Sequence, residues 1–87
     1  VLGELIAYDP AADTHRVLLS GLRCANGVAV DPSNSFVFVG SMLELLIHRV
    51  RLSDGSVTRG WARCPGYCDN FYIDGDDLFV AMPVLQG

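Results

Sequence analysis

One short pattern is written twice in this chain, and it decides what the chain can fold into. Asn26-Gly-Val-Ala-Val-Asp31, a polar stretch and Phe36-Val-Phe-Val-Gly40 return 44 positions later as Asn70-Phe-Tyr-Ile-Asp74, Gly75-Asp-Asp77 and Leu78-Phe-Val-Ala81. A period of about 40–45 residues built from short strands is the mark of a β-propeller blade. The fold class expected is therefore all-β, with about two blades present. The innermost strand of each blade lines the central channel, and each copy opens with an asparagine where such a strand begins. Asn26, Asp69 and Asn70 are thus expected to converge on one axis.

Eighty-seven residues suffice for one small domain, but a closed propeller needs at least about four blades. Repeat units of this kind do not bury their apolar side without neighbours. The chain accordingly reads as a piece of a larger propeller whose remaining blades are its first partners. A hydrophobic fraction of 51% fits surfaces meant to face other sheets.

Ten acidic against six basic residues give a net charge of −4, with no basic stripe. Phosphate binding needs clustered Lys or Arg, so nucleic acid is not an expected partner. No apolar run approaches the roughly 18 residues of a membrane span, so no transmembrane segment is expected in this stretch. The opening Val1-Leu2-Gly3 lacks the basic start and small-residue cleavage site of a signal peptide.

The strand reading follows from alternation and turn chemistry. Glu4 to Tyr8 stops at Asp9-Pro10, where proline breaks the ladder and aspartate favours a turn; His15 to Leu19 returns and ends at Ser20-Gly21. Val28 to Val30 closes at Asp31-Pro32-Ser33-Asn34, and Phe36 to Val39 carries the bulky residues of a strand covered on both sides. Leu45 to Leu52 and Val57 to Arg63 flank Asp54-Gly55, which accommodates positive φ in a hairpin. Ser41 to Val50 holds helix formers but no clean 3.6-residue stripe, and the repeat requires a strand there. The expected register is two outer strands of one blade, a complete four-stranded blade, then two inner strands of the next.

Three cysteines, Cys24, Cys64 and Cys68, are an odd number and do not suggest a self-contained disulfide framework. Cys64 and Cys68 form a Cys-x3-Cys pair without the further ligands that zinc needs, so buried thiols are the favoured reading. A Cys64–Cys68 bridge stays open for a secretory protein. His15 and His48 each sit beside an arginine on a strand away from the channel, which favours surface or inter-blade packing over general-base work. Trp61 reads as a packing anchor, and Glu44 as an exposed turn residue that would otherwise reach the channel mouth. Ser41 lacks the Gly-x-Ser-x-Gly setting of a nucleophile elbow.

Tyr8-Asp-Pro, Val17-Leu-Leu, Gly21-Leu, Ala25-Asn-Gly-Val, Phe36-Val-x-Val, Pro65-Gly-Tyr and Asp69-Asn70, in this order and spacing, resemble the strictosidine synthase-like family. That family groups with the paraoxonase and gluconolactonase propellers. The resemblance covers residues 1–87 as part of a larger propeller domain and implies a six-bladed body. It also implies the secretory pathway, the endoplasmic reticulum or a membrane as the compartment.

In hydrolytic members of the superfamily a calcium ion sits in the channel, held by carboxamide and carboxylate oxygens at the starts of inner strands. The resemblance carries these roles onto Asn26, Asp69 and Asn70. The residue types suit the ion, since Ca²⁺ takes six to eight oxygens at about 2.3–2.6 Å. The bland reading is a turn asparagine at position 26 and a backbone-capping pair at 69 and 70.

Three functions follow from the resemblance. The first is Ca²⁺-dependent hydrolysis of ester- or lactone-type small molecules. The second is Pictet–Spengler condensation of an amine with an aldehyde, as in strictosidine synthase. The third is a non-catalytic binding propeller. Retention of Asn26 favours the hydrolase. Gly40-Ser41-Met42 replaces an acidic residue that relatives carry after this strand, Cys24 stands for a phenylalanine and Cys68 for a proline, so the channel wall differs from theirs.

Overall fold

The computed structural model describes residues 2–82. It contains eight strands, β1 (Gly3–Asp9), β2 (Thr14–Leu22), β3 (Ala25–Val30), β4 (Phe36–Ser41), β5 (Leu46–Arg51), β6 (Val57–Arg63), β7 (Phe71–Asp74) and β8 (Asp77–Val80). They form three antiparallel sheets, β1-β2, then β3-β4-β5-β6, then β7-β8. This is the expected register: an outer pair, a complete blade and an inner pair.

The core lies between the sheets, and β4 divides it. Its alternate side chains leave in opposite directions. Val37 and Val39, with Val50 of β5, pack against Leu5, Leu19 and Leu22 of the first sheet. Phe38 and Ile47 point the other way and bury Cys64 and Cys68, with Phe71, Ile73, Leu78 and Val80 of the third sheet against them. Leu22 and Val50 have no solvent exposure, and full burial of such a side chain stabilises by about 1.5–3 kcal/mol.

Turn chemistry fixes the ladder ends. Asp31 Oδ1 accepts from the amides of Ser35 (2.7 Å) and Phe36 (2.9 Å), and its Oδ2 accepts from Ser33 Oγ at 2.6 Å. The Ser33 hydroxyl and then the Phe36 amide hold this carboxyl below the usual range.

Several strand boundaries differ from the sequence expectation; β3 opens at Ala25 and not at Val28, and two further differences redirect the chain. The chain does not enter β5 at Leu45: Met42–Glu44 forms one 3₁₀ turn, ended by Leu45 in the left-handed region at φ 58°. The helix formers noticed there are used, but for a single turn that redirects the chain. At the other boundary, β2 continues past Ser20-Gly21 to Leu22. A bulge lets Ser20 pair with Glu4 and Leu22 with Gly3, carrying the chain toward β3 without leaving the ladder.

Candidate functional site

The site is built where two successive innermost strands begin. β3 opens at Ala25, and the 64–70 linker brings the chain from β6 to the start of β7. The linker is pinned at both ends: the Cys64 amide donates to the Leu45 carbonyl at 2.8 Å, and the Asp69 amide to the Ala81 carbonyl at 2.8 Å. Ala81 in turn donates to the Asn70 carbonyl at 3.0 Å, so Asp69 and Asn70 extend the β7–β8 pairing.

Gly27 lets these two strand starts meet. It lies in the left-handed region at φ +75°, and a Cβ built there would stand 1.9 Å from the Asp69 carbonyl oxygen. Only glycine permits that approach and that backbone conformation without strain. Gly40, paired with Asn26 across β3–β4, repeats the device: its Cβ would fall 2.6 Å from Cys68 Sγ. The backbone at Asn26 is thus set against the backbone at Asp69 from the neighbouring sheet.

Asn26 is half-buried and turns its amide nitrogen on Met42 Sδ at 3.8 Å, which leaves the amide oxygen free to accept a hydrogen bond or to ligate. Among the described residues neither that oxygen nor the Asp69 carboxylate has a hydrogen-bond partner. Asn26 also borders a cleft of about 150 Å³ between β1 and β3, lined by Glu4, Leu5, Gly27 and Val39 among others. Asp69 is half-buried and Asn70 exposed. Of the three expected site residues, Asn26 and Asp69 stand on abutting strand starts, and Asn70 follows on the same extended segment.

A second polar group lies around His48, whose place between the first two sheets was expected from sequence while its partners Ser41 and Glu44 were not. His48 is 1% exposed, and its Nδ1 accepts from the Gly60 amide at 2.8 Å. An accepting Nδ1 puts the neutral ring's proton on Nε2, which lies 3.5 Å from Glu44 Oε1 without a formed hydrogen bond. The fully buried Ser41 hydroxyl donates to Glu44 Oε1 at 2.5 Å and accepts from the Arg23 amide at 2.9 Å. The Ser41 contact first, then His48 and Arg23, hold the Glu44 carboxyl below its ordinary range against a burial cost. Spacing gave a faint signal for Glu44 and His48, but it is a helical spacing, and here the left-handed Leu45 produces the meeting.

The remaining residues fall as their types suggest. His48 packs between sheets, as expected, while His15 is exposed on β2. Trp61 packs its ring on Phe38 with centroids 4.7 Å apart, and Arg49 lies over Phe36 at 4.3 Å. Cys64 and Cys68 are buried free thiols. Burial, and then the neighbouring Cys64 thiol, push the Cys68 thiol up to about 11. Among the described residues no three His, Cys, Asp or Glu side chains cluster as a metal site, and no helix is long and apolar enough to cross a membrane.

No protein-family model matches the chain. Curated proteins do. The chain is 34% identical to adipocyte plasma membrane-associated protein of Gallus gallus over 97% of its own length and 21% of that protein's. It is 33% identical to STRICTOSIDINE SYNTHASE-LIKE 6 of Arabidopsis thaliana over 93% of its length and 22% of the relative's, and 39% identical to STRICTOSIDINE SYNTHASE-LIKE 10 over 98% and 24%. The chain therefore spans less than a quarter of these relatives. Its repeat, its three sheets and these matches agree: the chain is a homologue of one segment of the strictosidine synthase-like proteins and forms about two blades of a propeller.

Proposed function

We propose that the whole propeller is a Ca²⁺-dependent hydrolase of ester- or lactone-type small molecules, with Asn26, Asp69 and Asn70 contributing to its metal site. The close approach at Gly27 carries this reading. It brings the strand starts that carry Asn26 and Asp69, from two successive sheets, against each other, and it does so at the cost of a backbone conformation that other residues resist. The donor set fits the ion: a carboxamide oxygen, a carboxylate and a second carboxamide are hard ligands of the kind calcium prefers. Three such side chains leave the coordination incomplete, and further ligands are expected from other blades.

A bound calcium ion would supply Lewis-acid polarisation of a carbonyl oxygen. The chain's own residues do the positioning. Met42 holds the Asn26 amide so that its oxygen is free. The Asp69–Ala81 and Ala81–Asn70 hydrogen bonds fix the linker's end. The Phe71 ring lies directly behind Gly27 and Gly40, so an apolar side chain backs the strand starts from the inter-sheet side. Association with the secretory pathway or a membrane belongs to the same proposal, supported by the name of the Gallus gallus relative.

Calorimetry of the intact propeller with Ca²⁺ tests the metal site. Binding heat that is lost in Asn26→Ala and in Asp69→Ala is the expected result. No heat in the parent protein refutes the site and leaves the binding-propeller reading. Turnover of aryl esters and lactones, measured beside tryptamine plus an aldehyde, then separates hydrolysis from Pictet–Spengler condensation.

A further inference from the structure

The linker that delivers Asp69 begins with two cysteines that the proposed function does not use. Cys64 is 2% and Cys68 0% exposed, and both belong to one cluster with Phe38 and Ile47. Four sequence positions separate the two cysteines, and the segment between is a surface loop in which Pro65 and Tyr67 are exposed. Backbone hydrogen bonds hold the loop at Cys64 and at Asp69, so both thiols sit on fixed ends with a short exposed arch between them. Gly40 completes the arrangement, because a side chain there would occupy the space of Cys68 Sγ.

We propose that Cys64 and Cys68 form a reversible disulfide that staples the arch of this inter-blade linker. The bond forms by exchange with a low-molecular-weight disulfide such as oxidised glutathione. One thiol of the pair, as thiolate, attacks a sulfur of that disulfide and releases one small thiol. The second then attacks the resulting mixed disulfide and releases the other. The protein pair loses two electrons and two protons, and the small disulfide gains them as two thiols. Exposure of Pro65 and Tyr67 gives the reagent its approach when the arch opens, and the fixed ends keep both sulfurs in one buried cluster. Cys24 stands apart, exposed at the start of β3.

The test uses the intact propeller equilibrated in glutathione buffers from reducing to oxidising, quenched in acid, alkylated and mapped by mass spectrometry. The expected result is a peptide spanning residues 64–68 that is lighter by two hydrogens and carries no alkyl label. It should revert in reduced glutathione and persist in Cys24→Ser. In Cys64→Ser, Cys68 should instead carry a glutathione adduct. Alkyl label on both Cys64 and Cys68 at every buffer composition overturns the proposal, as do separate glutathione adducts on the two thiols. Because the readout is mass and not calcium binding, the bridge and the metal site can fail independently.

Discussion

Substituting Gly27 by alanine measures what the approach of β3 to Asp69 is worth, because the chain contains its own control. Gly27 and Gly55 share the same backbone angle, φ +75°, yet a Cβ at Gly55 meets nothing within 4 Å while one at Gly27 would stand 1.9 Å from the Asp69 carbonyl. Gly55→Ala thus isolates the conformational term, about 1–2 kcal/mol for an L-residue in the left-handed region. Gly27→Ala carries the same term and must also part the two strands by more than an ångström. Overpacking of that kind typically adds about 1–3 kcal/mol. At roughly 2–4 °C per kcal/mol for a domain of a few hundred residues, Gly27→Ala should melt roughly 2–12 °C below Gly55→Ala. Thermal unfolding of the two variants in the intact propeller, at one scan rate, reads the difference directly. Equal melting temperatures would refute the close approach, and the geometric basis for pairing Asn26 with Asp69 would go with it.

Three further outcomes follow from the same geometry. Replacing His48 by leucine keeps the inter-sheet packing but strips the Gly60 amide of its acceptor, so urea unfolding should show a loss of about 1–3 kcal/mol. Glu44 has a folded pKa below its ordinary 4.5, so its contribution is fully present above the unfolded value and is lost as pH falls through the folded one. Ser41→Ala removes the main cause of that depression, and the fall in urea midpoint on acidification should be shallower in the variant than in the parent across about pH 6 to 3. Calcium calorimetry on Asn70→Ala should show weakened binding, and unchanged binding would limit the site to Asn26 and Asp69.

Most of the architecture was legible because the repeat and the turn residues are local signals. Asp54-Gly55 and Asp31-Pro32 bound their strands chemically, and Phe36 to Val39 showed by composition that both faces of β4 are covered. Which face meets which neighbour was not legible, since valine and phenylalanine are both apolar, and only the assembled sheets sort Val37 and Val39 from Phe38. The 3₁₀ turn at Met42–Glu44 escaped because its residues suit a helix and the repeat suits a strand, while the structure uses a single turn. Asn26 and Asp69 were picked out by the repeat and the resemblance, and the structure sets their strand starts side by side. Gly27 was not singled out, because Asn-Gly reads as an ordinary turn and nothing local announces a carbonyl arriving from 42 positions further along the chain. The Ser41–Glu44–His48 group escaped for a related reason: a left-handed leucine assembles it, and leucine does not advertise that conformation.

The division of the core by β4 also bears on how such a protein can be cut and rejoined. A change at Val39 is felt by the preceding sheet and a change at Phe38 by the following one, so neighbouring positions on one strand answer to different repeats. Chimeras that exchange whole four-stranded units would sever both sets of contacts at once and require two new matches. A graft or fusion placed at the Asp54-Gly55 hairpin would sever neither, since a side chain added at Gly55 meets no neighbour. That outer corner is the natural port for tags, reporters or inserted domains.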